Sequence, residues 1–184
     1  MKDTYDQRVE IYTDGAAKAN PTGPGGYAAI VKIFKKDSTD TYESIEEFAG
    51  GYPKTTNNKM ELMGVIVGLE SLKVPSMVRL YSDSSYVINA FNKRWMYNWK
   101  RNGWKTATGK PVKNQDLWGR LLKAKEGHQI TFVWVKGHAG NVDNERCDFL
   151  ASTMCDPFNT LVKKNGIYVG ETKIRMKTNN LNDK

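Results

Sequence analysis

The sequence has very little cysteine. Cys147 and Cys155 are the two cysteines among 184 residues. If both lie on one helix, their eight-residue separation places their Cα atoms ~12 Å apart at a rise of ~1.5 Å per residue. A disulfide needs a Cα separation below about 7 Å. We therefore expect two free thiols, a reducing compartment and a cytoplasmic location.

Long hydrophobic runs are absent as well. No stretch approaches the ~18 continuous apolar residues of a membrane span, and the first eight residues, MKDTYDQR, contain no apolar signal region. The hydrophobic content of 39% is sufficient for the core of one domain. We expect no membrane association. The predicted domain covers residues 1–156, and the polar end of the chain predicts a C-terminal extension over 157–184 that is partly disordered.

Acidic residues are fewer than basic ones, with 20 against 28, and the net charge is +8. The imbalance is strongest in residues 92–125, where Asp116 is the single acid among ten bases. Such a block can be an ordinary solvated face. Here, however, Trp95, Trp99 and Trp104 lie among the bases. Basic groups that neutralise phosphates, together with aromatic rings that stack on bases, favour a nucleic-acid surface.

The hydrophobic pattern changes period along the chain and predicts the order β-β-β-α-β-α-α-β-α. Alternating or apolar runs predict strands at 8–13, 27–34, 42–51, 77–82 and 129–135. Helical spacing predicts helices at about 60–72, 84–98, 117–126 and 144–154. Three strands in quick succession followed by strands joined through helices predict an α/β fold with a mixed sheet. In the C-terminal extension, residues 166–170 could form one short strand.

Four carboxylates occur where predicted strands end or helices begin: Asp14, Glu61, Asp83 and Asp148. Asp14 and Asp83 both follow predicted strands, and functional sites in such sheets form at strand ends. If the four acids converge, they repel one another unless a cation lies between them. Hard divalent ions with oxygen ligands fit this requirement and support metal-assisted phosphoryl chemistry.

Each acid also has an ordinary structural explanation when taken alone. Asp14 precedes a glycine, as in many hairpin turns. Glu61 stands three residues after an asparagine and could complete a capping box. Asp83 could be a helix N-cap, and Asp148 could be a surface acid on its helix. Only the joint placement of the four acids favours a site.

The residues around these acids form a series of motifs in a fixed order. They are Thr13-Asp14-Gly15, Asn20-Pro21, Gly25-Gly26-Tyr27, Thr55-Thr56-Asn57-Asn58-Lys59-Met60-Glu61-Leu62, Ser82-Asp83-Ser84, Trp99, Gly103-Trp104, Val135-Lys136-Gly137-His138-Ala139-Gly140 and Asn144-Glu145-Arg146-Cys147-Asp148. Over residues 7–154 the chain closely resembles type 1 ribonuclease H. The resemblance implies a ribonuclease H-like fold, with three antiparallel hairpin strands, two parallel strands and helices on both faces of the sheet.

The resemblance also implies an activity and its catalytic groups. The enzyme would be an endonuclease that hydrolyses the RNA strand of RNA–DNA hybrids and leaves 5′-phosphate and 3′-hydroxyl ends. Asp14, Glu61, Asp83 and Asp148 match the family's metal-binding acids, which hold two Mg²⁺ ions, with Mn²⁺ as a possible substitute. His138 matches the loop histidine that assists proton transfer or product release. Residues 1–156 would be the catalytic domain.

Substrate contacts are implied by position. The matching residues are Gly15, Asn20, Thr56, Asn57, Asn58, Trp95, Asn98, Trp99, Lys100, Arg101, Trp104 and Lys105. Two departures affect this set: Thr22 is inserted beside the Asn20 motif, and Ser85 replaces a glutamine found in many bacterial members. The expected partner is an RNA–DNA hybrid, and we expect a monomer without an obligate protein partner.

Two other functions are compatible with the fold. A non-catalytic hybrid- or RNA-binding module would have lost at least one acid, whereas this chain retains all four. A transposase or resolvase would have no reason for the basic segment that contains three tryptophans. Both alternatives are therefore less favoured than the hybrid-specific nuclease.

Overall fold

The computed structural model describes residues 5–18 and 22–156, together with the backbone of 174–177. The strands are β1 (Gln7–Ala17), β2 (Gly23–Phe34), β3 (Tyr42–Thr55), β4 (Ser76–Ser82), β5 (Gln129–Trp134) and β6 (Ile174–Lys177). The helices are α1 (Asn57–Glu70), α2 (Ser85–Asn92), α3 (Trp95–Arg101), α4 (Gln115–Ala124) and α5 (Val142–Met154). None of the helices in these ranges is long and apolar enough to span a membrane.

One mixed sheet organises the chain, with the strand order β5-β4-β1-β2-β3-β6. The first three strands pair antiparallel, whereas β4 pairs parallel with both β1 and β5. These five strands confirm the predicted mixed sheet. The structure adds a sixth strand, β6, which pairs antiparallel with β3. The predicted strand at 166–170 lies outside the described residues.

Helices cover both faces of the sheet, as predicted. Alternate residues of β1 and β4, including Val9, Ile11, Val78 and Leu80, point into the larger core. On that side lies α1, which is buried on nearly every side between the sheet and α4. Such all-round apolarity is typical of a buried helix. On the opposite face, α5 packs against β1, β2 and β3 around a smaller core.

Two local predictions were wrong. The predicted helix over 84–98 is split into α2 and α3, because Arg94 adopts a left-handed φ of 59° that a continuous helix excludes. The first strand was also predicted to end at Thr13, directly before Asp14. Instead, β1 continues to Ala17, and Asp14 pairs with Ala28 of β2.

The residues that cap α1 and α2 are not the ones that the ordinary explanations of Glu61 and Asp83 require. Thr56 caps α1 by accepting a hydrogen bond from the Lys59 amide at 3.3 Å. Ser84 caps α2 by accepting from the Val87 amide at 3.4 Å. Because Thr56 rather than Asn58 is the N-cap of α1, Glu61 does not complete a capping box, and Asp83 is not the N-cap of α2. Both carboxylates can therefore serve another purpose.

The position of α1 depends on a close approach to Gly15. A Cβ atom at Gly15 would overlap the backbone nitrogen of Glu61 and the carbonyl carbon of Met60. Only a residue without a side chain therefore allows β1 and α1 to touch here. This contact places Glu61 beside the strand that carries Asp14.

Substituting Gly15 by alanine should lower the free energy of unfolding by ~1–3 kcal/mol, because α1 must move away from β1. Gly119, in the interior of α4, is a matched control, since a Cβ atom there meets nothing within 4 Å. Gly119→Ala should raise the free energy of unfolding by roughly 0.5–1 kcal/mol. Urea denaturation measures both effects, and equal stability of the two variants would contradict the close-contact argument.

Candidate active site

Three of the four predicted acids meet at one edge of the sheet. Asp14, Glu61 and Asp83 each offer a carboxylate oxygen, and these oxygens lie within 4.8 Å of one another. The parallel pairing of β1 with β4 ends at Thr13 and Ser82. Asp14 and Asp83 each occupy the next position along the chain, so they lie side by side. The Gly15 contact brings Glu61 from α1 to the same point.

Burial and mutual repulsion oppose the ionisation of these acids. Asp14 and Glu61 are each only 5% exposed. Desolvation, followed by the charge of Asp83, raises the pKa of Asp14 to about 7. Burial raises the pKa of Glu61 well above its usual value, and the charges of Asp14 and Asp83 act in the same direction. The pKa of Asp83 is also raised, chiefly by desolvation.

The hydrogen bonds around the acids leave room for a cation. The Gly15 amide donates to Asp14 Oδ1 at 2.8 Å, and Asn57 Nδ2 lies 3.5 Å from Glu61 Oε1. Glu61 Oε2 is buried and has no hydrogen-bond partner among the described residues. An unsatisfied carboxylate oxygen in this position costs free energy that a bound cation would offset. The donor set consists of carboxylate oxygens, which suit Mg²⁺ and Mn²⁺.

The fourth acid and the predicted histidine lie beside this group and are more exposed. Asp148, on α5, has a side chain that is 40% exposed, and its Oδ2 lies 3.9 Å from Nδ1 of His138. Asp148 is close enough for its charge and a hydrogen bond to raise the pKa of Asp14. The imidazole of His138 is 79% exposed. The structure thus places all five predicted catalytic residues at one location.

Asn144 is a further residue of this site that the sequence argument did not single out. It is buried on α5 close to Asp83, and its Nδ2 has no hydrogen-bond partner among the described residues. Desolvation raises the pKa of Asp83, whereas the charge of His138 lowers it. Asn144 begins the motif that ends at Asp148. Its position one helical turn before that acid is the sequence signal that could have identified it.

The predicted substrate contacts form two groups. Thr56, Asn57 and Asn58 lie at the N-terminus of α1, where backbone amides favour anions. Gly15 lies next to Asp14 on β1. Asn20 lies outside the described residues, so its predicted contact stays a prediction.

The second group is the basic protrusion, which we define as residues 95–107. It encloses a groove of about 260 Å³ lined by Trp95, Asn98, Trp99, Arg101, Asn102, Lys105 and Ala107. Trp95 is exposed, whereas Trp99 and Trp104 pack against the main core. The Trp99 ring lies 5.6 Å from the buried Trp118 ring in an edge-on arrangement. Part of this aromatic surface is therefore structural.

The pKa of Asp14 predicts how the stability of the metal-free protein depends on pH. Because its folded-state pKa is raised from 3.8 to about 7, the folded protein retains a proton that the unfolded chain releases between about pH 4 and 7. The free energy of unfolding should fall as pH rises through this range, by at most ~1.4 kcal/mol per pH unit for this group.

Asp14→Asn should make that decline less steep and raise the stability of the metal-free protein at pH 7. Thermal and urea unfolding from pH 4 to 8 in the presence of a chelator measure both effects. Added Mg²⁺ is the control and should stabilise the wild type more than the variant at pH 7. An identical pH dependence in the two proteins would contradict the raised pKa.

Comparison with known proteins agrees with this geometry. The RNase H family model matches residues 6–156. Ribonuclease H of Lachnoclostridium phytofermentans is 58% identical over 152 residues, which cover 83% of this chain and 94% of the relative. Ribonuclease H of an Escherichia coli strain is 52% identical over 145 residues, which cover 79% of this chain and 87% of that protein.

Among solved structures, LC9-RNase H1, a type 1 RNase H with the type 2 active-site motif, is 29% identical with a TM-score of 0.72. The match covers 81% of this chain and 72% of that one. The family model and the relatives confirm the predicted resemblance: the chain belongs to the ribonuclease H family, whose enzymes cleave the RNA strand of RNA–DNA hybrids.

Proposed function

We propose that this chain hydrolyses the RNA strand of RNA–DNA hybrids by two-metal-ion catalysis and leaves 5′-phosphate and 3′-hydroxyl ends. Asp14, Glu61, Asp83 and Asp148 hold the ions. The observation that carries the proposal is the convergence of three carboxylates within 4.8 Å, two of them buried, with one Glu61 oxygen unsatisfied among the described residues. This arrangement is unfavourable without a cation and favourable with one.

Mg²⁺ is the expected ion, with Mn²⁺ as a substitute, and when bound it supplies an activated water and stabilises the leaving oxygen. The acids must be ionised to bind it, and the raised pKa of Asp14 means that binding releases a proton near neutral pH. The buried acids are fixed by strand pairing and by α1. Asp148 is more exposed and can adjust as the substrate enters.

His138 is proposed to move a proton at the reaction centre. Its Nδ1 lies 3.9 Å from Asp148, and its imidazole is largely in solvent, where it can exchange protons with water. It lies on the loop between β5 and α5 and adopts a left-handed φ of 53°. An exposed side chain on a loop can approach the substrate while the acids keep their positions.

The hybrid is proposed to bind along the face that joins the two contact groups. Thr56 and Asn57, at the α1 N-terminus, bind a phosphate of the DNA strand. Asn20 and Asn58, together with Gly15, contact the minor groove, where the 2′-hydroxyl marks RNA. The basic protrusion contributes the remaining predicted contacts, from Trp95, Asn98, Trp99, Lys100, Arg101, Trp104 and Lys105.

The remaining proposals concern the whole chain. Residues 1–156 form the catalytic domain, and the protein acts as a monomer. A cytoplasmic location remains a prediction from the two cysteines, which are buried and free.

Asp83→Asn should abolish cleavage while leaving hybrid affinity largely intact, because affinity comes mainly from phosphate contacts elsewhere. A hybrid labelled on its RNA strand, incubated with Mg²⁺, measures turnover, and analysis of the product ends identifies the bond that breaks. Asp116→Asn, in the exposed first turn of α4, is the charge-matched control and should cleave normally. An Asp83→Asn enzyme with about a tenth or more of wild-type turnover would contradict the metal role.

Replacing Lys100, Arg101 and Lys105 together by alanine should weaken hybrid binding and reduce its salt slope by ~2–3 units, about one per lost phosphate contact. Turnover at saturating hybrid should change little. Lys35→Ala with Lys36→Ala is the control, since these exposed lysines follow β2 at the end of the sheet opposite the acids. An unchanged slope in the triple variant would identify the block as an ordinary solvated face.

A further inference from the structure

One short segment of the chain, from Trp134 at the end of β5 to Gly137, lies against Asp83 and the residue before it. The indole Nε1 of Trp134 donates a hydrogen bond to the Asp83 carbonyl at 3.1 Å. The Val135 amide donates to the Ser82 carbonyl at 3.0 Å. A Cβ atom at Gly137 would lie 2.6 Å from Asp83 Oδ2, so the backbone of Gly137 lies directly against the carboxylate.

The carbonyl that accepts the indole hydrogen bond lies at the boundary between β4 and α2. Asp83 follows the last residue of β4 and precedes Ser84, the N-cap of α2. The first backbone bond of α2 is accepted by the Ser84 carbonyl, from the Ile88 amide. The Asp83 carbonyl therefore lies just outside both ladders, where a side-chain donor can fix its orientation.

Trp134 is unusual for a residue at the end of a strand with an apolar sequence. It is 53% exposed, although tryptophan is on average a well-buried residue. Hydrophobic burial therefore does not explain a tryptophan at this position. The hydrogen bond from its indole N–H to the Asp83 carbonyl does explain it.

We infer that Trp134 is a positioning residue for Asp83. The indole fixes the Asp83 backbone, and the same segment continues through Gly137, which lies against the Asp83 carboxylate, to His138. A change in the position of this segment therefore moves Asp83 and His138 together. The inference rests on the proposed function, because it gives Asp83 the role of a metal ligand.

Trp134→Phe tests the inference, since it retains an aromatic ring and removes only the N–H donor. Calorimetric titration of the free protein should give an Mg²⁺ affinity about threefold to tenfold weaker than wild type, as expected for the loss of one neutral hydrogen bond. The backbone amide resonances of Gly137 and His138 should shift. Hybrid affinity without divalent ions should stay unchanged.

Trp118→Phe is the matched control. Trp118 is fully buried, and its Nε1 donates to the Tyr86 hydroxyl at 3.2 Å, so this variant also loses an indole hydrogen bond. It should lose more stability than Trp134→Phe, because a core side chain becomes smaller. Its Mg²⁺ affinity should equal that of the wild type.

Three results would overturn the inference alone: an unchanged Mg²⁺ affinity in Trp134→Phe, an equal loss of affinity in Trp118→Phe, or a loss of metal-free hybrid affinity in Trp134→Phe with normal Mg²⁺ binding. The last result would identify Trp134 as a ring that stacks on the nucleic acid. A wild-type protein that binds no Mg²⁺ would instead overturn the proposed function, and this inference with it.

Discussion

The repulsion among Asp14, Glu61 and Asp83 is the constraint on which the rest of the site depends. Acids that repel one another cannot assemble themselves, so the fold must hold them together against their charges. Parallel pairing of β1 with β4 fixes the first and third acids, and the contact of α1 with Gly15 fixes the second. Because α1 is buried on nearly every side, it cannot move away without disrupting the core.

The remaining groups of the candidate active site are more exposed than these acids. Asp148 and His138 are substantially exposed and lie on α5 and the loop before it. Asn144, on the same helix, is buried and lies close to Asp83. The site therefore combines two buried acids, Asp14 and Glu61, with a more exposed acid and an exposed imidazole. Under the proposed function, the buried acids would bind ions while the exposed groups exchange protons with water.

The order of elements was predictable because alternating or continuous apolar runs mark the strands, while the apolar stretch of α1 is long enough for a helix. The end of β1 was predicted too early because Asp-Gly is a local turn signal, whereas the pairing of Asp14 with Ala28 is a tertiary contact. The break at Arg94 has no glycine or proline to mark it. Trp134 is part of an apolar run that favours burial, and only the structure places it in solvent. The four acids were identified through a family resemblance, since each alone had an ordinary explanation.

Side-chain contacts connect the basic protrusion with the acids, although the two surfaces carry opposite charges. The Trp99 ring packs edge-on against Trp118 of α4. Arg120, also on α4, forms two hydrogen bonds of 2.7 and 2.9 Å with Glu70 of α1. Because α1 carries Glu61, this chain of contacts links the basic protrusion to the helix that positions one of the acids. Under the proposed function, charges on the protrusion would set hybrid affinity, while the packing beneath them would set which phosphate reaches the acids.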